Sequence, residues 1–151
     1  MARWPLPEPM QRALALAQEA ADAGEVPVGA VVMHGAQRVG EGRNRTRSGS
    51  DPTAHAEIIA IRDAARRLGR DRLGGCSLWV TLEPCAMCAG AISHARISAL
   101  YYAAPDPKGG GVDHGARVFA HPQTMHRPDI YRGIGETEGS ALLKAFFEQL
   151  R

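Results

Sequence analysis

Pro52-Thr53-Ala54-His55-Ala56-Glu57, followed after twenty-six residues by Pro84-Cys85-Ala86-Met87-Cys88, is the pair of stretches around which the chain can be read. His55 offers an imidazole nitrogen, and Cys85 and Cys88 offer two thiolates, a donor set suited to zinc in a tetrahedral shell. Three protein ligands leave one position for water, as catalytic sites do and structural sites do not. Zinc can bring the pKa of such a water from about 16 to about 7. Glu57, a carboxylate placed close by, then has a role as proton carrier.

The flanking residues predict where these side chains sit. Asp51 is a good N-cap and Pro52 a good first helical residue, so a helix is expected from Pro52 to near Gly69. Glu83-Pro84 repeats the signal and predicts a second helix from Pro84 to His94. Cys85 and Cys88, three apart, would share a face of that helix, and its first turn favours thiolates. His55 and Glu57 are two apart and do not face each other on a regular helix. The metal is therefore expected at the helix mouth, approached from either flank.

A lone Cys-x-x-Cys reads equally well as a redox pair, and a lone His-x-Glu carries little information. Joined as His-x-Glu and Pro-Cys-x-x-Cys, they form the known signature of the zinc-dependent base deaminases. Further stretches extend the match: Glu25-Val26-Pro27-Val28-Gly29-Ala30-Val31, Asn44-Arg45, Asp51 to Glu57 and Thr81 to Ala91. With these the chain resembles the bacterial tRNA-specific adenosine deaminases, within the zinc-dependent cytidine/deoxycytidylate deaminase superfamily. The resemblance runs from about Met10 to the C-terminus and is densest between Glu25 and Tyr102.

That resemblance implies an α/β fold: a three-layer deaminase sandwich whose mixed five-stranded sheet carries helices on both faces, with the fifth strand near Asp129 to Tyr131. It implies zinc-dependent hydrolytic deamination of adenosine to inosine at the wobble position of a tRNA anticodon stem-loop. It also implies one Zn2+ per subunit, held by His55, Cys85 and Cys88, with Glu57 as the catalytic residue. The family forms homodimers whose RNA site spans both subunits. Asn44 stands where the family hydrogen-bonds the target nucleoside, and Asp106 where it contacts RNA beside the target base. Each also reads as a turn residue. Pro105 replaces an arginine of some members, and Met125 an Asn or His of others. Both departures bear on RNA contacts and leave the metal chemistry untouched.

Two other functions compete. One is a deaminase of free bases or nucleosides, of the guanine or cytidine type, on the same fold. The other is a zinc-stabilised RNA-binding module without catalysis, against which Glu57 argues, because a structural site has no use for a proton carrier.

The 151 residues suit a single deaminase domain, residues 1–151, in which the proline-rich residues 1–9 read as a flexible tail rather than a signal peptide. Aromatics make up only 5%, so the core must be built from Ala, Leu, Ile and Val. A net charge of +2 is too small to argue for nucleic acid by itself. Arg43, Arg45 and Arg47, and Arg62, Arg66, Arg67, Arg70 and Arg72, read equally as a solvated face or an RNA-facing one. Two of the three cysteines belong to the metal set, leaving Cys76 as a core or turn residue. An odd count argues against a disulfide scaffold and for a reducing, cytoplasmic setting. No stretch approaches the roughly 18 apolar residues of a membrane span.

Periodicity supplies the remaining elements. Helices are expected over Met10 to Ala23 and over Glu136 to Leu150, the latter with Leu142, Leu143, Phe146, Phe147 and Leu150 as its apolar face. Strands are expected over Val28 to Met33, Arg38 to Gly42, Ser77 to Leu82 and Ile97 to Tyr102. Ala103 to Gly111 reads as a loop, and His34, His114, His121 and His126 read as loop residues. Alternating strands and helices predict a mixed sheet with helices packed on its faces.

Overall fold

The apolar run after Pro27 forms β1 (Gly29–His34), buried at every position but its last. A run of this kind suits a strand covered on both faces. The computed structural model describes residues 5–150. β1 turns through Gly35, whose φ of 62° is the left-handed value a tight hairpin requires, into antiparallel β2 (Gln37–Arg43). On its other side β1 pairs antiparallel with β3 (Cys76–Leu82). β4 (Ala99–Ala104) and β5 (Asp129–Arg132) then continue the sheet in parallel, giving the order β2-β1-β3-β4-β5.

Helices α1 (Glu8–Asp22) and α4 (Glu136–Gln149) cover one face, and α2 (Ala56–Leu68) and α3 (Ala86–Ala95) cover the other. Ala56, Ala60 and Ala64 of α2 and Ala89 and Ile92 of α3 meet Val32, Leu78, Val80 and Leu100 in the larger core. Met10, Ala13 and Leu16 of α1 meet Val31, Met33 and Ala103 in the smaller one. The expected three-layer α/β sandwich with a mixed five-stranded sheet is therefore the observed one. Among the described residues no helix is long and apolar enough to cross a membrane.

Small residues bring α2 unusually close to the sheet. A Cβ on Gly42 would lie 2.6 Å from the carbonyl oxygen of Ala56, so the helix rests on the bare backbone of β2. That contact delivers the first turn of α2 to the end of β2, where Asn44 follows.

Several boundaries differ from expectation. Of the expected tail 1–9, residues 1–4 lie outside the described residues, and Glu8 and Pro9 form the start of α1. α2 starts at Ala56 rather than Pro52, and α3 at Ala86 rather than Pro84. On α4 only part of the apolar stripe is covered: Phe146 is buried, whereas Phe147 and Leu150 are exposed. Trp79, Tyr101 and Tyr131, side by side on β3, β4 and β5, form an unforeseen ladder of stacked rings with centroids 3.7 and 4.6 Å apart.

Candidate metal centre and active site

Two helices begin at the site, each one residue after a candidate ligand. His55 (φ −74°, ψ 152°) and Cys85 (φ −71°, ψ 175°) are extended N-cap residues, and neither side chain caps its own helix. Cys88 lies in the first turn of α3 and is buried. The expected cap at Asp51 does something else. Its Oδ1 accepts the backbone N–H and the hydroxyl of Thr53 at 2.9 and 2.8 Å, closing a turn upstream of the helix. Asn44 Oδ1 instead accepts the N–H of Ala56 at 2.9 Å. This removes the spacing difficulty, because His55 stands outside α2 and Glu57 within it, so the two side chains need not follow helical angles.

His55 Nδ1 lies 3.5 Å from Cys85 Sγ and 3.5 Å from Cys88 Sγ, and the three donor atoms all fall within 4.8 Å of one another. Tetrahedral zinc, with bonds of about 2.3 Å to sulfur and about 2.0 Å to nitrogen, requires an N···S separation of about 3.6 Å. The donor set fits the ion in both chemistry and spacing. The Cys85 thiol is drawn down to about 4, chiefly by the Cys88 side chain and then by His55. Cys88 is pushed up, first by sharing its proton with Cys85 and then by burial. A zinc ion held by these atoms would supply the positive charge that the shared proton supplies here, so that its binding would be linked to proton release.

Glu57 is 4% exposed, and its carboxyl is pushed up to about 7, first by burial and further by the charge on Cys85. A carboxyl that exchanges its proton near neutrality suits general acid–base work. Cys76 is buried in the core and stands apart from the ligand cluster.

Two further buried carboxylates hold the segments that adjoin these residues. Glu25, 2% exposed, accepts the N–H groups of Arg47 at 3.1 Å and Ser48 at 2.7 Å and so ties down the segment between β2 and His55. Burial would raise its pKa, but these donors outweigh burial and hold it low. Glu83, also 2% exposed, does the same for the segment after β4, accepting from Asp106, Val112, Asp113 and His114. Asp106 sits at the head of that segment. Its Oδ1 takes the N–H groups of Lys108 and Gly109 at 3.3 and 3.0 Å, which is the turn role. Beside it, Val26, Leu82, Leu143, Phe147 and Leu150 line an apolar groove of about 830 Å³ that also includes Pro105, Lys108 and Gly109.

Residues 6–104 match the family model described as the cytidine and deoxycytidylate deaminase zinc-binding region. The chain belongs to this deaminase family. It is 50% identical to the tRNA-specific adenosine deaminase of Agrobacterium fabrum over 94% of this chain and 93% of that protein. It superposes with a TM-score of 0.88 on a solved structure from a study of A-to-I editing by tRNA:A34 deaminases at the wobble position of transfer RNA. That structure is 50% identical, and the match covers 89% of this chain and 98% of the other. A guanine deaminase from Bacillus subtilis is more distant, at 34% identity and a TM-score of 0.65 over 93% of this chain and 92% of its own.

As a zinc-binding deaminase, the chain has its family signature gathered at one point, the joint mouth of α2 and α3. Asn44 is drawn there through α2. Glu25, and Glu83 beyond its place in a helix-start signal, carry no site role in the sequence, yet each ties down a segment next to the ligand cluster. The available signal was an acidic residue set between a chain-breaking residue and an apolar strand on one side (Gly24-Glu25-Val26), and between a strand and a proline on the other (Leu82-Glu83-Pro84). Of the loop histidines, His114 Nδ1 lies 2.7 Å from Glu83, and His126 Nε2 donates to the Ile97 carbonyl at 2.6 Å, so both have structural partners.

Proposed function

We propose that this chain is a zinc-dependent tRNA adenosine deaminase, which converts adenosine to inosine at the wobble position of the anticodon. One observation carries the reading: a three-donor cluster spaced for zinc, with the buried Glu57 carboxyl beside it. His55, Cys85 and Cys88 would hold one Zn2+ per subunit. Zinc, when bound, supplies a Lewis acid that lowers the pKa of water at neutral pH. Glu57 takes a proton from the attacking water and delivers it to N1 as C6 is attacked. It then carries the second hydrogen of that water to the departing amino group. Adenosine and water thus leave as inosine and ammonia.

Asn44, whose Oδ1 is engaged by Ala56, presents its Nδ2 as a donor to the nucleoside. Asp106, whose Oδ1 is occupied within its own turn, offers Oδ2 to the nucleotide beside the target base. The apolar groove bounded by Leu82 and Phe147 has the character of a seat for a base splayed from a single-stranded loop. The reading includes a single catalytic domain over residues 1–151, a homodimer and a cytoplasmic location, where tRNA is the substrate.

The relatives favour tRNA over a free base, since the tRNA deaminase match at 50% identity and TM-score 0.88 exceeds the guanine deaminase match at 34% and 0.65. The zinc-loaded protein should release ammonia and form inosine from a tRNA bearing an ACG anticodon, and leave guanine and cytidine unchanged. Turnover of guanine or cytidine without turnover of the tRNA would overturn the substrate assignment.

A further inference from the structure

Glu83 is the most heavily bonded side chain at the site, and none of the chemistry above uses it. Its side chain is 0% exposed. Oε1 accepts the N–H of Asp106 at 3.0 Å and lies 2.7 Å from His114 Nδ1. Oε2 accepts the N–H groups of Val112, Asp113 and His114 at 3.2, 2.9 and 3.1 Å. The N–H of Glu83 itself donates to the Ala104 carbonyl at 2.8 Å, where β4 ends. A segment that leaves β4 at Ala104 is thus returned to one carboxylate at both of its ends.

The backbone of that segment also touches the start of α3 directly. Gly111 N–H donates to the Pro84 carbonyl at 2.8 Å. A Cβ on Gly110 would lie 2.4 Å from Glu83 Oε2, and one on Gly111 would lie 2.5 Å from the backbone nitrogen of Ala86, the first residue of α3. Glycine at these positions lets the chain close over the carboxylate and onto the helix that carries Cys85 and Cys88. Both oxygens of Glu83 are saturated by donors, so it has no acceptor left for a substrate or a metal. Whatever it does for the reaction, it does through the groups it holds.

We infer that Glu83 is a positioning residue: by gathering residues 106–114 onto the mouth of α3, it sets the wall of the substrate pocket that carries Asp106. The inference rests on the deaminase reading above. A carboxylate suits this work because it only accepts, and every group facing it donates. Glutamine in its place would turn an amide N–H2 toward N–H groups and leave buried donors without acceptors. The wall would loosen while His55, Cys85 and Cys88 kept their places.

Three measurements on zinc-loaded wild-type and Glu83→Gln protein decide the matter. Hydrogen exchange in the free protein should be faster, on the order of tenfold or more, in peptides covering residues 106–114. Zinc per chain should be unchanged. The KM for the anticodon tRNA should rise on the order of tenfold with kcat altered by less than about threefold, the pattern of lost binding rather than lost chemistry. Glu83→Asp, which keeps the charge, should recover part of the KM. If Glu83→Gln does not fold, Gly110→Ala disturbs the same contact from the loop side and should reproduce the exchange and KM effects.

A folded variant with wild-type exchange and KM would overturn the inference. So would loss of zinc together with kcat, which would make Glu83 a support of the metal site alone. The exchange measurement needs no substrate. If the wild-type chain proves to act on a free base and not on tRNA, the substrate reading falls, and the exchange result still decides for or against Glu83.

Discussion

Asn44 Oδ1 accepts the backbone N–H of Ala56 at 2.9 Å, so a residue just past β2 caps the helix that carries Glu57. His55, the N-cap residue by position, is thereby released from capping and left with its imidazole on the two sulfurs.

This double use of Asn44 can be separated. Asn44→Ala removes both the cap and the proposed donor to the nucleoside, and should cost about 1 kcal/mol of stability along with most of the activity. Asn44→Asp keeps an acceptor for Ala56 and loses the amide donor. It should hold wild-type stability in urea denaturation yet deaminate poorly. Equal activity in Asn44→Asp and wild type would show that the amide donor is not needed.

Glu57→Gln should retain zinc and lose about 10²–10⁴-fold in kcat, the usual contribution of a positioned acid–base group. Metal analysis beside single-turnover kinetics checks both halves. Zinc lost along with activity would make Glu57 part of the ligand set.

Cys85→Ala or Cys88→Ala should purify without zinc. Where the ion binds the folded chain alone and is supplied far above its Kd, it contributes about 4 kcal/mol. For a chain of this size its loss lowers Tm by roughly 10 °C. Chelation of the wild-type protein should lower Tm to a similar degree, and chelation of either variant should change nothing further.

Glu25 gives the fold a dependence on acid. Burial favours its protonated form, but the N–H groups of Ser48 and Arg47 prevail and hold its native pKa below the ordinary 4.5. The unfolded chain therefore binds this proton first as pH falls, and stability falls with it. Glu25→Gln should cost about 1–3 kcal/mol at neutral pH, because the N–H groups of Arg47 and Ser48 lose their charged acceptor. That penalty should persist down to about pH 4.5 and shrink as the pH falls through the native value. Urea midpoints for both proteins from pH 7 to pH 3 test this, and a penalty that grew in acid would contradict the sign.

Much of the fold could be read in advance because the apolar runs at Val28 to Met33 and Ser77 to Leu82 have one burial pattern open to them. The fifth strand, expected near Asp129 to Tyr131, runs Asp129–Arg132. The His55, Cys85 and Cys88 cluster was legible for a different reason, since a metal demands particular donor types at a particular spacing. Helix starts were misread where local and distant groups compete. Asp51 and Pro52 form a persuasive local start, but Asp51 spends its carboxylate on Thr53, and the cap comes from Asn44, twelve positions before Ala56. The role of Glu83 was hidden in the same way, because its partners lie twenty-three to thirty-one positions downstream. The stripe on α4 had the correct period, yet Phe147 and Leu150 face a groove rather than the core.

The ring ladder decides how the margin of the sheet behaves. β5 has only four residues and touches the sheet through β4 alone, so Tyr131 stacked on Tyr101 acts as its clasp. Unfastened, the strand would expose the backbone of β4 as a template for another chain, and protein lacking that ring would self-associate through its borders. Tyr131 thus fastens the last strand of the sheet to its one neighbour.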